Sequence, residues 1–475
     1  MPVRLRDSGV GRDMEHGGPR LNETARWREL DLAHHLHPFT DYKGLADEGG
    51  SRIIVGGAGV HLTDSEGRRI LDGMAGLWNV SLGYGRAELA QAAYDQMMRL
   101  SYYNTFFKTA TPPSVELAAR LVEMTPAGLN RVFFTSSGSE ANDTIVRMVR
   151  HYWNLAGKPS KKTIISREYA YHGSTMIGAS LCGPGQMLGG QGDLPLPDIV
   201  HVTPPYWFDF GGDMTRAEMG LYAARQVAAK IRELGAENVA AFIGEPIQGA
   251  GGVIIPPETY WPEVQRICRE HDVLLIADEV ISGFGRTGHG FASELYGIEP
   301  DMMTLAKAVT SGYVPLGAAM VGDRVADTLI REGGEFFHGF TYSGHPVACA
   351  VGLEALRLLE AEGLIAKVAA DTGPYLAERL GELADHPIVG EVRAQGLLGA
   401  VELCADRATR ARFRPMGRAG RICRDHCIAN DVILRAVRDT MVISPPLVAE
   451  RAHIDAMIDA LRRSLDATAR DLGAA

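Results

Sequence analysis

Short aliphatic runs alternate with stretches of helical periodicity through the middle of the chain. Residues 131–135, 163–166, 198–202, 239–243, 273–277, 302–305 and 317–321 read as strands. Residues 140–153 and 215–234 carry apolar positions at the spacing of an amphipathic helix. Strands this apolar are buried on both faces, as in a largely parallel sheet covered by helices. The pattern predicts an α/β domain over residues 76–344. The flanks differ. Two apolar runs around a turn at 64–67 predict a hairpin within 52–72, and a long helix is expected over 348–360. Strands at 397–401 and 440–444 and a terminal helix from about 450 follow. Residues 31–75 and 345–475 are expected to meet as one smaller α+β domain, with residues 1–30 as a poorly ordered extension.

The length of 475 residues agrees with two domains. A formal charge of −10 with no long run of one sign argues against nucleic acid as a ligand, because phosphate binding needs a basic face. No apolar stretch reaches the roughly 18–20 residues of a membrane helix. Six scattered cysteines suit a reducing compartment. Residues 1–20 mix Arg4, Arg6, Arg12 and Arg20 with acids and glycines and lack an apolar core, so a cytoplasmic location is expected. Cys423 and Cys427 stand one helical turn apart, but nothing completes a zinc set at the usual spacing, and no metal is expected.

Four local features carry chemistry. Lysine is scarce, eight residues against 40 arginines. One of them, Lys307, follows the 302–305 strand directly, where parallel sheets place ligands. The 273–277 strand ends in Asp278, and a carboxylate at that depth needs a partner. In Thr135-Ser-Ser-Gly-Ser-Glu-Ala141 a strand runs through small residues into a helix start. That arrangement suits a phosphate, or serves only as a helix cap. Tyr171-His-Gly173 offers an aromatic able to stack on a flat ring, although aromatic residues in loops more often serve packing. An amine for a Schiff base, an acid for a pyridinium nitrogen, a phosphate cradle and a stacking ring together specify pyridoxal phosphate.

With these features in view, the chain closely resembles the class III aminotransferases of fold type I, in the pyruvate-dependent ω-amine transaminase branch. The resemblance lies in His34-His-Leu-His-Pro-Phe39, Asp72-Gly-Met-Ala-Gly-Leu-Trp78, Tyr103-Asn-Thr-Phe-Phe-Lys108 and Ser136-Ser-Gly-Ser-Glu140. It continues through Tyr171-His-Gly-Ser174, Gly244-Glu-Pro-Ile-Gln-Gly-Ala-Gly-Gly252, Ala277-Asp-Glu-Val280, Gly283-Phe-Gly-Arg-Thr-Gly288 and Gly339-Phe-Thr-Tyr-Ser-Gly-His-Pro346. The resemblance implies a homodimer with shared active sites, and leaves open whether dimers pair into a tetramer. It makes Lys307 the Schiff-base lysine and Asp278 the partner of the pyridine nitrogen. Ser137, Gly138, Ser139, Tyr171, His172, Glu245 and Val280 would hold the cofactor, joined by Thr341 from the second subunit. Trp78, Phe107 and Tyr171, with Phe106 from the second subunit, would line the substrate pocket, and Arg435 would bind a substrate carboxylate and swing away from a donor that lacks one. Histidines 34, 35 and 37 read as part of the entrance and interface. Ala170, Ala308 and the 181–187 stretch depart from the family pattern and leave substrate preference open.

The implied activity moves an amino group from a primary amine or ω-amino acid to a keto acid such as pyruvate, in two half-reactions. The alternatives are a decarboxylase or aminomutase of the same fold, or a catalytically silent binding protein.

Overall fold

The computed structural model describes residues 21–183, 189, 192 and 194–474. Its centre is a seven-stranded sheet in the order Arg131–Thr135, Gly317–Val321, Met302–Leu305, Leu274–Asp278, Val239–Gly244, Thr163–Arg167, Ile199–Val202. Gly317–Val321 runs against both its neighbours, and the other pairings are parallel. Every residue of Val239–Gly244 and Leu274–Asp278 is buried, because helices cover both faces of the sheet. One face packs Ile145, Val149 and Trp153 of Gly138–Leu155 against Ile243 and Ile276. The other packs Val227 of Arg216–Leu234 and Val264 of Tyr260–Glu270 against Phe242 and Leu275. Thr215 and Glu218 form a reciprocal cap that fixes where the first of those helices begins. The parallel strands all deliver their C-terminal ends to one edge, so Thr135, Arg167, Gly244, Asp278 and Leu305 emerge together.

Two four-stranded sheets flank this centre. Ile54–Ala58, His61–Asp64 and Arg69–Asp72 form an antiparallel meander, one strand more than the expected hairpin. Its fourth strand comes from the far end of the chain: Val432 and Ile433 pair in parallel with Leu71 and Asp72. The second sheet orders Val389–Gln395, Leu398–Leu403, Thr440–Ile443 and Arg435–Val437. Of the extension expected over residues 1–30, residues 1–20 lie outside the described residues, and Leu21–His34 form a helix.

Val389–Gln395 is absent from the sequence expectation for a physical reason. Its buried face carries Glu391 and Arg393, which inverts the polarity that marks a half-buried strand. Both charges are compensated. Arg393 donates to Glu402 at 2.9 Å and to the carbonyls of Gly252 and Val253 at 2.8 and 3.1 Å, and it also pairs with Glu391.

Lys161 is buried, 4% exposed. Its ammonium donates to the carbonyls of Ala236, Val239 and Asp272 at 3.0, 3.0 and 2.7 Å and lies 4.5 Å from the Trp153 ring centre. Lys161→Met is expected to cost about 2–4 kcal/mol, since three carbonyls lose a charged donor. Chemical denaturation checks it, with an unchanged midpoint as the contrary result.

Candidate active site

The strand Arg131–Thr135 leads through Ser136 and Ser137 into the helix Gly138–Leu155. Ser137 caps that helix by accepting the N–H of Glu140 at 3.2 Å, while Glu140 reaches back to the N–H of Ser136 at 2.6 Å. Ser139 Oγ accepts the N–H of Ser174 at 3.1 Å, which ties the cradle to the Tyr171 loop. A side chain at Gly138 would lie 3.0 Å from Val280, and one at Gly173, where φ is +135°, would lie 2.5 Å from Ser139 Oγ. Both glycines therefore leave space where the positive end of an 18-residue helix faces a cavity.

That cavity, of about 370 Å³, is lined by Ser137, Gly138, Ser139, Tyr171, His172, Glu245, Asp278, Val280 and Lys307 among others. Asp278 is 3% exposed. One of its oxygens accepts from His172 Nδ1 at 2.7 Å and Asn142 Nδ2 at 2.9 Å, and the other from the N–H of Val280 at 3.1 Å. Burial alone would raise this carboxyl, but His172, Asn142 and Val280 outweigh it and hold the group below its ordinary value. It stays an anion. Behind it, Glu245 accepts the N–H of Tyr171 at 3.1 Å and pairs with Arg167 at 3.2 Å.

Lys307 opens a short 3₁₀ turn directly after the strand Met302–Leu305, at a left-handed φ of 50°. A non-glycine residue held there stores strain, and such strain gathers where a side chain must be aimed. Burial pushes its ammonium down to about 8, with Asp278 opposing and the Arg435 charge assisting. A fraction of this amine is therefore free near neutral pH.

Trp78 is buried, and the Arg435 guanidinium lies 4.8 Å from its ring centre. Burial lowers Arg435 from its ordinary value, with Tyr171 as the opposing influence. Trp78 and Arg435 are not among the residues that line this cavity, and neither are Thr341, Phe106 and Phe107, which form a separate group. These three lie together elsewhere on the same chain. Tyr102 donates to the Thr341 carbonyl at 2.6 Å, a side chain at Gly339 would meet the Phe106 ring at 2.8 Å, and Phe107 is 86% exposed.

His35 and His37 both contact Asp31, at 3.1 and 2.9 Å, and Ser51 donates to the same carboxylate at 2.5 Å. Hydrogen bonds from Ser51 first, then His37 and His35, bring the Asp31 carboxyl down to about 2. Phe39, next along, has its ring centre 6.3 Å from that of Tyr171, so this run stands beside the cavity. Cys423 and Cys427 are buried in the helix Arg418–Ala429 as core residues. Residues 184–187 of the divergent 181–187 stretch lie outside the described residues.

Sequence reasoning missed three members of the site. Asn142 stands one helical turn beyond Gly138 and Ser139 on the same face, a spacing that could have drawn attention to it. Arg167 ends a fully buried strand, as Asp278 does, and could have been found by the same rule. Asn79 lines the cavity beside Gly312, and nothing in its surroundings along the chain signals that.

The set fits pyridoxal phosphate. Helix N–H groups and Ser137–Ser139 suit a dianion, Asp278 suits a cationic ring nitrogen, and Lys307 supplies an amine that can lose its proton.

Comparison with known proteins agrees. The profile described as aminotransferase class-III matches residues 46–465. The putrescine–pyruvate aminotransferase of Pseudomonas aeruginosa is 56% identical over 447 residues, covering 94% of this chain and 97% of the relative. An ω-transaminase of Pseudomonas jessenii, solved in complex with PMP, superposes with a TM-score of 0.92 at 42% identity over 94% of this chain and 99% of that one. An (S)-enantioselective ω-transaminase of Thermomicrobium roseum gives 0.90 at 45% identity over 94% and 98%.

Proposed function

The chain belongs to the class-III aminotransferase family, and from that membership we propose how its own residues divide the work of moving an amino group. It has the type I fold of pyridoxal-phosphate enzymes and carries out pyridoxal-phosphate-dependent amino transfer to pyruvate, a reading favoured over a decarboxylase, an aminomutase or a silent binding protein. The observation that carries the residue roles is the convergence of Lys307, Asp278 and the Ser137–Ser139 cradle on one cavity.

Bound pyridoxal phosphate supplies an aldehyde for the incoming amine and a ring that takes up the electrons freed when the adjacent C–H bond breaks. Gly138 and Ser139, with the Ser137 cap, bind the phosphate. Asp278 holds a proton on the ring nitrogen, and His172 and Asn142 keep Asp278 charged. Tyr171, positioned by Glu245 through its backbone N–H, would stack on the ring, and Val280 would help hold it. Lys307 would anchor the group through its amine and, once released, would serve as the acid–base group that takes up and returns the substrate's proton.

The donor in this reading is a diamine such as putrescine, supported by the 56% identical relative that bears its name. One pocket then serves a cationic amine without a carboxylate and a keto acid with one. Arg435 resolves the conflict: its fork binds the pyruvate carboxylate and withdraws when the diamine enters. Trp78 forms the wall beneath it. Arg435→Ala is expected to slow the pyruvate half-reaction about a hundredfold and the putrescine half-reaction less than fivefold, because only one loses a bidentate charged contact. Single-turnover absorbance of the cofactor measures each half separately, and equal losses would remove the switch. A screen of amine donors with pyruvate as acceptor, read as alanine formed, tests the donor class.

A second copy of the chain completes the site in this account. Phe106, Phe107 and Thr341 stand outside their own cavity, and Tyr342 beside Thr341 is 59% accessible. Given to a partner, they would supply a pocket wall and a phosphate hydroxyl. Residues 76–344 serve as the cofactor-binding domain and 31–75 with 345–475 as the smaller one. A cytoplasmic location agrees with six buried free thiols.

A further inference from the structure

Asp72 ends the strand Arg69–Asp72 and is 1% exposed. Its charge is met by three donors: the N–H of Met74 at 2.8 Å, the N–H of Gly76 at 2.7 Å and the Tyr84 hydroxyl at 2.6 Å. Burial, with Asp72 alongside, pushes the Tyr84 phenol up, so it remains a donor at any working pH.

The backbone that Asp72 grips is strained. Ala75, Gly76 and Trp78 have φ of 46°, 66° and 60°, three left-handed residues within four. Such a segment persists only where its surroundings over-determine it. Gly76 leaves no alternative, since a side chain there would lie 2.7 Å from Asn79 Oδ1, and Asn79 lines the cofactor cavity. The segment ends in Trp78, the ring over which Arg435 rests.

The strand that Asp72 ends also abuts the segment leading into Arg435. Its backbone pairs with Ile433 in the parallel ladder, and Gly73 donates to the Ile433 carbonyl at 3.0 Å. Arg435 follows two residues later. A side chain at Gly73 would lie 2.9 Å from the Ile433 carbonyl oxygen and 2.4 Å from the Leu434 side chain, so only a glycine lets the two segments meet here. The carboxylate of Asp72 thus anchors the segment that ends in Trp78, while its chain neighbour Gly73 holds the Val432–Ile433 strand that leads into Arg435.

We propose that Asp72, with Tyr84 as its donor, is the positioning residue that keeps Trp78 and Arg435 in stacking register and so sets the inward, carboxylate-binding pose of Arg435. The inference rests on the reading of Arg435 as the carboxylate ligand. In that pose the guanidinium is preorganised for the keto acid, whereas a diamine is bound with the arginine withdrawn.

The test uses holoenzyme variants Tyr84→Phe, Asp72→Asn and Arg435→Ala, with both half-reactions followed in single turnovers. Tyr84→Phe keeps both backbone bonds to Asp72 and serves if Asp72→Asn fails to fold. Each positioning variant is expected to raise the KM for pyruvate about tenfold, the loss of one charged hydrogen bond, and to affect putrescine at least fivefold less. In the double variant with Arg435→Ala the pyruvate loss should be no larger than for Arg435→Ala alone. Equal losses in both half-reactions, or losses that multiply in the double variant, would overturn the proposal while leaving Arg435 in its role. An Arg435→Ala enzyme without pyruvate selectivity would instead overturn the reading of Arg435, and this proposal with it.

Discussion

Lys307→Ala is expected to lower turnover with putrescine and pyruvate by about four orders of magnitude, the upper range for loss of a positioned acid–base group. The fold should remain intact, because the Lys307 side chain faces a cavity and the strand before it is held by apolar packing. Methylamine added to the variant should restore a small part of the rate, since a free amine can carry the proton without being aimed. The pH dependence follows from the same environment. Burial holds the Lys307 ammonium near 8, below its ordinary value, so the neutral amine gains population as pH rises through about 8. The rate at which cofactor-free enzyme takes up pyridoxal phosphate should therefore climb with pH to a midpoint near 8 and then level. Stopped-flow absorbance measures it. A midpoint near that of an ordinary lysine would contradict the desolvated setting.

Asp278→Asn is expected to cost about a thousandfold in both half-reactions, several kcal/mol of barrier. The neutral amide keeps the shape but no longer favours a proton on the ring nitrogen. Both halves suffer because both pass through breaking the same kind of C–H bond. Here Asp278 differs from Arg435, whose loss divides the two halves. His172→Gln should give a smaller, parallel loss, since Asn142 and the Val280 N–H still hold the carboxylate. A bound-cofactor spectrum unchanged between wild type and Asp278→Asn, together with full activity, would exclude the assigned role.

Much of the fold was legible because the central strands are apolar along their whole length. Arg131–Thr135, Met302–Leu305 and Gly317–Val321 have the expected limits, and other strand ends shift by a residue or two. What escaped was structure whose logic is tertiary. Val389–Gln395 buries Glu391 and Arg393, which only their partners on other segments make tolerable. Val432–Ile433 is two residues long and is defined by a strand on the opposite side of the sequence. At the site, Lys307, Asp278 and Ser137–Ser139 could be read from strand ends and small residues. Lysine scarcity was the weaker clue, since Lys161 is also held inside the fold and is spent on carbonyls. Asn142, Arg167 and Asn79 are recognised only once the polar atoms around Asp278, Glu245 and the cavity are seen together.

The parallel pairing of residues 71–72 with 432–433 also bears on how the protein is made. The Arg68–Asp431 ion pair at that seam closes a gap of 363 residues. During translation, the meander at the start of the chain must therefore wait, its outer edge unpaired, until nearly everything else has left the ribosome. At ordinary elongation rates that interval is on the order of half a minute. An exposed ladder edge invites pairing with neighbouring nascent chains. Slowing elongation, or truncating the gene before codon 432, should therefore divert newly made protein into aggregates.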